Sequence, residues 1–527
     1  MTKHQTSNPA PTTLTDPMVK QDLPGLLDTQ ARRWGDKTFL IWSPFAGEER
    51  TWSYQGFASE VRRVAAGLAA QGVRAGDRVL IHLDNCPELL FAWFACASLG
   101  AVGVLSNTRS TGGDIAYFCE LTEAVGAVTQ PAYAEKVSRA EAAFRFVAVT
   151  ESDAGDPAEK NLNLPRSLPF AQLLAAGSRE EVKIPDSTKD LSIQFTSGTT
   201  SRPKAVVWTH ANVLFGAGQT ARNYGLQAGD VCHITLPLYH VYALSDLMGS
   251  FFSGGSVLLQ RKFSAHRFWE PALRHGATWA PMVVFCINAL RQYPVPEHPF
   301  RFWQTGWVYP EIAQSFRVPS LGNWGMTEMG WLPIVSDPRH PGGPNSMGRP
   351  SPGIAVSIRR ADGGECETGE TGDLFIQGVP GLSIFRTYLK DPEAFAAGFD
   401  EGGWFHTGDR ARRDADGELY FADRSEDLIK VGGENVSATE VEQTIMETGW
   451  IRECAVVAAP DPMLEEVPVA FVIPKENPPA PLKEKLIAHC RQRLADFKQI
   501  REVHVVDDFP RSTVEKIAKN ELRERLK

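Results

Sequence analysis

The chain has 527 residues, of which 43% are hydrophobic and 22% are charged. This composition is typical of folded globular proteins, and the length favours two or more domains. The formal net charge of −9 disfavours a general nucleic-acid-binding surface, which requires a basic face. The eight cysteines form no C-x-x-C pair, so the sequence predicts neither a disulfide framework nor a zinc motif and favours a reducing, cytoplasmic location.

The N-terminal segment and one apolar stretch need separate interpretation. Residues 1–22 are polar and rich in Pro and Thr, which predicts a disordered lead-in without a signal core. The stretch from Leu89 to Ser106 is of borderline length for a membrane span. Two glycines interrupt it and no basic residues flank it, so we predict a buried helix at Pro87–Leu99 followed by a buried strand, and no integral membrane segment.

The order of helix and strand patterns predicts an α/β fold. Strand patterns separated by helical segments recur from residue 78 to residue 284, which favours α/β layers with parallel strands. Short strands and turns between Gly353 and Asp423 predict a β-rich subdomain. A compact α+β pattern follows. We therefore predict a large domain at 23–425 and a small mobile domain at 426–527.

The segment "TSGTTSRPK", from Thr196 to Lys204, lies between two predicted strands. Its Gly lets a ligand approach the backbone, its hydroxyl and N–H groups donate hydrogen bonds, and Lys204 supplies positive charge. These features suit a phosphate, although the P-loop pattern G-x-x-x-x-G-K-[ST] is absent. Taken alone, the segment is open to two readings, a phosphate site and a polar turn.

Further motifs follow this segment in a fixed order along the chain. They are "LPLYH" (236–240), "NWGMTE" (323–328), "GWFHTGD" (403–409), "DRSEDLIKVGGENVSATEVE" (423–442) and "PRSTVEK" (510–516). Together they resemble the motifs of the adenylate-forming superfamily, which includes acyl-CoA synthetases, peptide-synthetase adenylation domains and luciferases. The segments "TTSRPK", "GVPGLSIF" and "GGENVS" look closest to the crotonobetaine/carnitine–CoA ligase branch.

The resemblance implies an AMP-forming carboxylic acid–CoA ligase that uses ATP, Mg²⁺ and CoA. A carboxylate would attack the α-phosphate of ATP, and the thiol of CoA would then displace AMP from the acyl-adenylate. The implied nucleotide-binding residues are Thr196, Ser197, Gly198, Thr199, Thr200, Lys204, Trp324, Gly325, Asp409 and Arg424. Among these, Trp324 stands where the family usually has a Tyr that stacks on adenine.

The catalytic residues implied by the resemblance come from both domains. They are His240, Thr327, Glu328, Lys430 and Lys516, with Glu328 as the Mg²⁺ ligand, Gly432 and Gly433 beside the pantetheine arm of CoA, and Glu426 as the hinge. Two positions depart from the family pattern. Glu515 replaces the Gly that usually precedes the terminal lysine, and Ala205 replaces the Gly that usually follows the loop lysine.

The acid substrate is left open between two classes. Residues expected near the acyl group are Tyr239, Trp303, Gly306, Trp307 and Trp331. Aromatic faces bind a quaternary ammonium well, but they equally form the wall of an apolar pocket. Asp246 would balance a cation or simply face solvent.

The sequence also contains features that suggest other functions. "GAGQTA" (216–221) matches G-x-G-x-x-A, but it lies inside a predicted helix and lacks the acidic residue of a dinucleotide site. An adenylating enzyme that loads a carrier protein is one alternative, and a weakly catalytic, ligand-binding relative is another. The expected partners are the acid, ATP and CoA, with no nucleic acid; a homo-oligomer is left open.

Overall fold

The computed structural model describes residues 21–140, 143–158, 163–175, 177, 185–196, 203–424, 428–431, 434–462, 464–494, 496–511 and 517–526. All but the last two residues of the predicted lead-in at 1–22 lie outside these ranges, and Asp22 caps the first helix by accepting from the Gly25 N–H group at 2.8 Å.

The α-helices of the described chain alternate with its strands. The helices are α1 (Leu23–Trp34), α2 (Tyr54–Ala70), α3 (Pro87–Leu99), α4 (Gly112–Thr122), α5 (Pro131–Ala140), α6 (Phe170–Leu174), α7 (His210–Asn223), α8 (Val241–Ser253), α9 (Trp269–Arg274), α10 (Val284–Leu290), α11 (Pro310–Phe316), α12 (Pro392–Ala397), α13 (Ala438–Met446), α14 (Leu482–Arg493) and α15 (Lys519–Glu524). Short 3₁₀ turns lie at Ala265–Arg267 and Asp496–Lys498.

The strands are β1 (Thr38–Trp42), β2 (Arg50–Ser53), β3 (Arg78–His82), β4 (Val102–Leu105), β5 (Gly126–Thr129), β6 (Val147–Val149), β7 (Ser167–Pro169), β8 (Asp190–Phe195), β9 (Ala205–Thr209), β10 (Val231–Ile234), β11 (Ser256–Leu259), β12 (Trp279–Pro281), β13 (Phe302–Gly306), β14 (Ser320–Trp324), β15 (Ile334–Val335), β16 (Ser346–Pro350), β17 (Ala355–Arg359), β18 (Thr371–Gln377), β19 (Thr387–Tyr388), β20 (Phe405–Arg413), β21 (Leu419–Arg424), β22 (Leu428–Val431), β23 (Glu434–Ser437), β24 (Ile451–Asp461), β25 (Glu465–Pro474) and β26 (Glu502–Val505).

These strands form three sheets within the described residues. The first has the order β19-β9-β8-β4-β3-β5-β6-β7, and its pairs from β8 to β7 are parallel. The second has the order β17-β18-β20-β21-β16-β15-β14-β13-β12-β10-β11-β1-β2. It is parallel from β14 to β1 and antiparallel from β14 to β17, so the predicted β-rich segment continues an α/β sheet. The predicted α/β class with a β-rich part is confirmed.

The third sheet contains β22 to β26 and has its own apolar core. Its order is β23-β22-β25-β24, with β26 beside β25. Ser437 caps α13, because its hydroxyl accepts from the Glu440 N–H group at 3.2 Å. The exact domain boundary at residue 426 stays a prediction.

The apolar stretch that begins at Leu89 folds as predicted, into α3 followed by β4. Pro87 occupies the first helical turn, and Gly100 ends the helix in the left-handed region at φ 68°. The helix is apolar on nearly all sides and is buried, as expected for a helix between two layers. Among the helices that the structure describes, none is long and apolar enough to cross a membrane.

Candidate active site

The ends of the hydroxyl-rich segment are held together by β8 and β9. The Thr196 N–H group donates to the Lys204 carbonyl, and the Lys204 N–H group donates to Thr196 Oγ1, both at 3.0 Å. Ser197, Gly198, Thr199 and Thr200, which lie between them, are outside the described residues. Thr196 and Lys204 are therefore held side by side at the end of the antiparallel pair of β8 and β9.

One tyrosine connects Lys204 with Glu328. The Lys204 ammonium lies 4.7 Å from the centroid of the Tyr388 ring, and the Tyr388 hydroxyl donates to Glu328 Oε1 at 2.9 Å. Burial, and then the neighbouring Glu328 carboxylate, raise the pKa of Tyr388, so this hydroxyl stays a donor. Sequence analysis missed Tyr388, because its place depends on β19 pairing with β9, which lies far away along the chain.

The "NWGMTE" motif runs from β14 into a tight turn. The Trp208 indole N–H donates to the Thr327 carbonyl at 2.8 Å, which ties this turn to β9. A Cβ atom on Gly325 would lie 2.7 Å from Leu332 Cδ2 and 2.9 Å from the Trp331 carbonyl, so only glycine fits there. Thr327 and Glu328 are therefore held next to the loop that carries Lys204.

A second polar contact joins two motifs that are far apart in the sequence. The Trp324 indole N–H donates to Asp409 Oδ2 at 2.7 Å, and both residues are buried. Asp409 also pairs with Arg424 across the β20–β21 ladder, although the Arg424 side chain lies outside the described part. The predicted adenine-stacking and ribose-binding residues thus lie in direct contact.

The "LPLYH" segment is fixed by a residue that sequence analysis did not single out. The Asn85 amide donates to the carbonyls of Leu236 at 2.9 Å and Gln260 at 3.1 Å, while its oxygen accepts from the Leu238 N–H group at 2.8 Å. Asn85 is buried, so these bonds hold the segment firmly. His240 ends the segment, is half-buried and occupies the N-cap position of α8. A polar residue three positions after the end of buried β3 was the available signal.

The aromatic residues predicted near the acyl group do not form one cluster. Trp303 is buried in a core with Phe268, Phe300 and Phe316. Trp331 is buried too, and its indole N–H donates to the Ser383 carbonyl at 2.9 Å. Both side chains are therefore packing elements here, and their contact with an acid stays a prediction.

Three other predicted pocket residues lie closer to the ends of the parallel strands. Gly306 ends β13 with φ +79°, and a Cβ atom there would meet nothing within 4 Å. The ring centroid of the half-buried Trp307 lies 6.2 Å from the ring centroid of Tyr309. Tyr239 is buried, and its ring centroid lies 5.0 Å from that of His240. Among these residues, Gly306 borders open space.

Asp246 does not face solvent. Its side chain on α8 is fully buried, and Oδ1 accepts from the Gln304 amide at 3.0 Å. Burial raises the pKa of Asp246 well above its usual value. The solvent-facing interpretation of this residue is thus wrong, because α8 packs this face against β13.

The "GAGQTA" pattern has a packing role. It lies inside α7, as predicted, and a Cβ atom on Gly216 would approach Trp331 Cβ to 2.8 Å. The glycine therefore allows close contact between a helix and the turn after β14, which does not require a dinucleotide.

Several predicted residues cannot be placed. Glu426, Gly432, Gly433, Glu515 and Lys516 lie outside the described residues, as do the side chains of Lys430 and Arg424. None of the eight cysteines, all of which lie in the described ranges, takes part in a disulfide bond. Within the described ranges, no three His, Cys, Asp or Glu side chains form a metal-binding group.

Comparison with known proteins agrees with this arrangement. The family described as "AMP-binding enzyme" matches residues 27–389, and "AMP-binding enzyme C-terminal domain" matches residues 440–516. A crotonobetaine/carnitine–CoA ligase of Salmonella paratyphi A is 33% identical over 522 residues, covering 95% of this chain and 99% of that protein.

Among the solved structures that resemble this one are CoA ligases and synthetases. The o-succinylbenzoate coenzyme A synthetase of Bacillus subtilis, in complex with ATP and magnesium ion, has a TM-score of 0.80 at 27% identity, covering 94% of this chain and 98% of that one. A benzoate CoA ligase of Burkholderia xenovorans LB400 has a TM-score of 0.83 at 25% identity, covering 95% and 100%. The chain therefore belongs to the AMP-binding enzyme family and is an AMP-forming carboxylic acid–CoA ligase.

Proposed function

We propose that this enzyme binds ATP with Mg²⁺ across the Lys204–Tyr388–Glu328 bridge and transfers the activated acyl group to CoA. The observation that carries the proposal is this bridge, which joins the hydroxyl-rich loop to the "NWGMTE" turn. A lysine beside the Tyr388 ring and a buried carboxylate bonded to its hydroxyl are suited to bind a phosphate chain and its metal ion, respectively. Charge that develops on phosphate oxygens is stabilised by cations and fixed donors in such a site.

The residues around Trp324 fit the nucleoside of ATP. The indole offers an aromatic face for adenine, and Asp409 offers carboxylate oxygens for ribose hydroxyls. The Trp324 N–H group holds that carboxylate in one orientation before the nucleotide arrives. Gly325 lets the backbone follow closely, and Arg424 would add a contact to ribose or phosphate.

The residues around Glu328 fit the phosphates and one Mg²⁺ ion. Mg²⁺ usually takes one or two protein carboxylates together with phosphate oxygens and waters, so Glu328 is a sufficient protein ligand. When bound, the ion neutralises charge on the phosphate oxygens. Thr196, Lys204 and the loop between them would hold the β- and γ-phosphates, and Thr327 would contact the α-phosphate.

The two half-reactions would use different parts of the small domain. In the first, the acid's carboxylate forms a bond to the α-phosphorus and pyrophosphate leaves; Lys516 and His240 would stabilise this step. In the second, the CoA sulfur forms a bond to the acyl carbon and AMP leaves. Lys430, Gly432 and Gly433 would then face the site after rotation about Glu426.

Two classes of acid suit the proposed site. A betaine-like acid is supported by the carnitine-type relatives. An uncharged apolar or aryl acid is supported by the benzoate ligase among the structural relatives, and by the packing of Trp303 and Trp331 against other rings of the core. The buried Asp246 bears on the choice between a charged and an uncharged acid.

A reducing, cytoplasmic location and possible self-association complete the proposal. The eight cysteines, which form no disulfide bond within the described residues, support a reducing compartment. Size-exclusion chromatography with light scattering would measure whether the chain forms a homo-oligomer.

The proposal is tested by separating the half-reactions. ATP–pyrophosphate exchange with a panel of acids reports adenylation, and CoA-dependent AMP release reports the complete reaction. We expect Lys516→Ala to lose exchange while it still forms thioester from a supplied acyl-adenylate. Lys430→Ala should have the smaller exchange defect. A binding protein without catalysis would show no exchange with any acid.

A further inference from the structure

A buried carboxyl group lies next to the predicted acyl site and has no role in the mechanism. Asp246 is fully buried on α8, the helix that begins directly after His240. Its Oδ1 atom accepts from Gln304 Nε2 at 3.0 Å, whereas Oδ2 has no hydrogen-bond partner. Half of this carboxyl group is therefore left unsatisfied inside the protein.

Two more polar atoms nearby lack partners. Gln304 Oε1 and the Tyr224 hydroxyl are both buried without a hydrogen bond. Burial, and then the Asp246 carboxyl, raise the pKa of Tyr224, which indicates that the two groups are close. Within the described residues, no Lys, Arg or His forms an ion pair with Asp246. Buried polar atoms are nearly always paired, and Asp246 Oδ2 and Gln304 Oε1 are hydrogen-bond acceptors, so these two atoms call for an external donor.

The Asp246 face of α8 lies against the parallel part of the second sheet. Tyr242 and Asp246 are four residues apart and share one helix face. The Tyr242 hydroxyl accepts from Asn323 Nδ2 at 3.2 Å and donates to the Met282 carbonyl at 3.4 Å, while Asp246 contacts Gln304. This face thus touches β13, β14 and the residue after β12, and ligands in α/β sheets bind at the carboxyl ends of such strands.

The same elements carry the residues that surround the acid. Gln304 is two residues before Gly306, and Asn323 directly precedes Trp324. Asp246 is six residues beyond His240, about 9 Å along the helix axis at 1.5 Å per residue. An acid whose carboxylate reacts near His240 would therefore extend towards Asp246 with its other end.

We propose that Asp246 and Gln304 form a subsite for a protonated amine at the far end of the acid, which makes the substrate an ammonium-bearing carboxylic acid. The proposal rests on the CoA-ligase function stated above. An ammonium group donates up to three hydrogen bonds, which matches Asp246 Oδ2 and Gln304 Oε1. A quaternary ammonium brings charge but no N–H donor, and an alkyl end brings neither.

The electrostatics of the subsite agree with a cationic guest. Burial raises the pKa of Asp246 well above its usual value, which means that the charged carboxylate is disfavoured unless a cation lies beside it. A cationic amine supplies the missing counter-charge and keeps the carboxylate ionised. The subsite would therefore discriminate against neutral acids of the same shape, for which Asp246 gains no partner.

The first experiment uses the wild-type enzyme and matched acids. We compare kcat/KM for CoA-dependent AMP release with 4-aminobutanoate, 5-aminopentanoate and 6-aminohexanoate against pentanoate, hexanoate and heptanoate, in which methyl replaces ammonium. We expect one amine to exceed its neutral partner at least about tenfold, as hydrogen bonds to charged groups allow. The proposal is overturned if each neutral acid equals or exceeds its amine, or if 4-(trimethylammonio)butanoate is better than every amine.

The second experiment changes the subsite. Asp246→Asn keeps the shape and removes the charge, so the amine-to-neutral ratio of kcat/KM should fall at least about tenfold, mainly through KM. Ser250→Ala is the matched control, because the Ser250 hydroxyl donates to the backbone carbonyl of Asp246 at 3.0 Å and not to its carboxyl group. Its ratio should stay at the wild-type value. An unchanged ratio in Asp246→Asn overturns the proposal.

Two further measurements distinguish a failure of the subsite proposal from misfolding of the variant and from a failure of the ligase function. If Asp246→Asn does not fold, Gln304→Met removes the Oε1 acceptor and also the Nε2 donor that orients Asp246, so it should lower the same ratio. No change in the ratio would count against the subsite. Calorimetric titration of wild-type enzyme with the amines and their neutral partners reads binding without turnover. Loss of AMP release with every acid would refute the ligase function, whereas the calorimetric preference would still decide the subsite.

Discussion

At the residue scale, the site depends on side chains that hold other side chains. Trp324 donates to Asp409, and Tyr388 donates to Glu328. In both pairs an aromatic ring offers a face for a ligand or a cation, while its polar atom orients a carboxylate. Such orientation before binding is what lets a carboxylate act in a transition state without rearrangement.

The first prediction concerns the Trp324 N–H group. Trp324→Phe keeps an aromatic face but removes the donor to Asp409, so we expect KM for ATP to rise about tenfold in pyrophosphate exchange, equivalent to about 1.4 kcal/mol. Trp93→Phe is the control, because it removes another buried indole hydrogen bond, to Ser192 Oγ at 3.1 Å, that does not involve Asp409. A wild-type KM in Trp324→Phe would show that this contact does not orient Asp409.

The second prediction concerns Tyr388. Tyr388→Phe keeps the ring beside Lys204 but removes the hydrogen bond to Glu328, so exchange should fall about tenfold and half-maximal exchange should need more Mg²⁺. Tyr388→Leu removes the ring as well and should be slower still. If Tyr388→Phe has wild-type exchange and wild-type Mg²⁺ dependence, the bridge does not support the metal site.

At the element scale, local sequence signals predicted elements well but not their neighbours. The helix at Pro87–Leu99 was predicted to the residue, because an apolar run lies between Pro87 and Gly100, which favour a helix start and a helix end. The joining of β14 to the β-rich segment through β15 and β16 was not predicted, since strand order depends on contacts between distant segments. For the same reason Asn85 and Tyr388 escaped notice: their partners lie more than fifty residues away.

The third prediction uses two glycines of α7. In Gly216→Ala the new methyl group would meet Trp331 Cβ at 2.8 Å, so overpacking of about 1–3 kcal/mol should outweigh the gain in helix propensity of about 1 kcal/mol. Gly218→Ala is the matched control, because its Cβ atom would meet the Phe252 ring at an ordinary 3.6 Å. We expect thermal unfolding to shift down for Gly216→Ala and to stay or shift up for Gly218→Ala. The same direction in both variants would contradict the packing role of Gly216.

At the scale of the whole molecule, a short connection joins the second, large sheet to the third, small sheet. The last described residue of β21 belongs to the large sheet, and β22 begins the small one after residues 425–427. The two parts also touch, since the Arg511 guanidinium lies 5.9 Å from the centroid of the Phe285 ring. A rotation of the small domain would break such a contact and expose different residues to the site.

The fourth prediction tests that rotation at Glu426. Proline fixes φ, so Glu426→Pro should slow thioester formation more than adenylation. Glu426→Ala leaves the backbone free and should keep both rates near wild type. Single-turnover measurements of the two half-reactions give the comparison. Wild-type rates for both steps in Glu426→Pro would show that the hinge lies elsewhere.

The large sheets and their helices also bury imidazole groups, which makes the fold sensitive to acid. His82, His210 and His233 are buried in the folded protein. Burial lowers the pKa of His82 to about 3 and the pKa values of His210 and His233 to about 4, from 6.5. The unfolded chain therefore binds more protons than the folded protein between about pH 4 and pH 6.5, and stability falls as the pH falls through this window.

The fifth prediction gives the loss of free energy of unfolding at acidic pH that is caused by His233. For a pKa of about 4 in the folded state against 6.5 in the unfolded state, His233 should remove about 2 kcal/mol of the free energy of unfolding between pH 7 and pH 5. His233→Gln should therefore lose about 2 kcal/mol less than wild type over this range, as measured by urea unfolding at both pH values. The exposed His266 is the control, and His266→Gln should lose as much as wild type. Equal losses in all three proteins would mean that His233 is not a buried neutral imidazole, and that other groups cause any acid sensitivity.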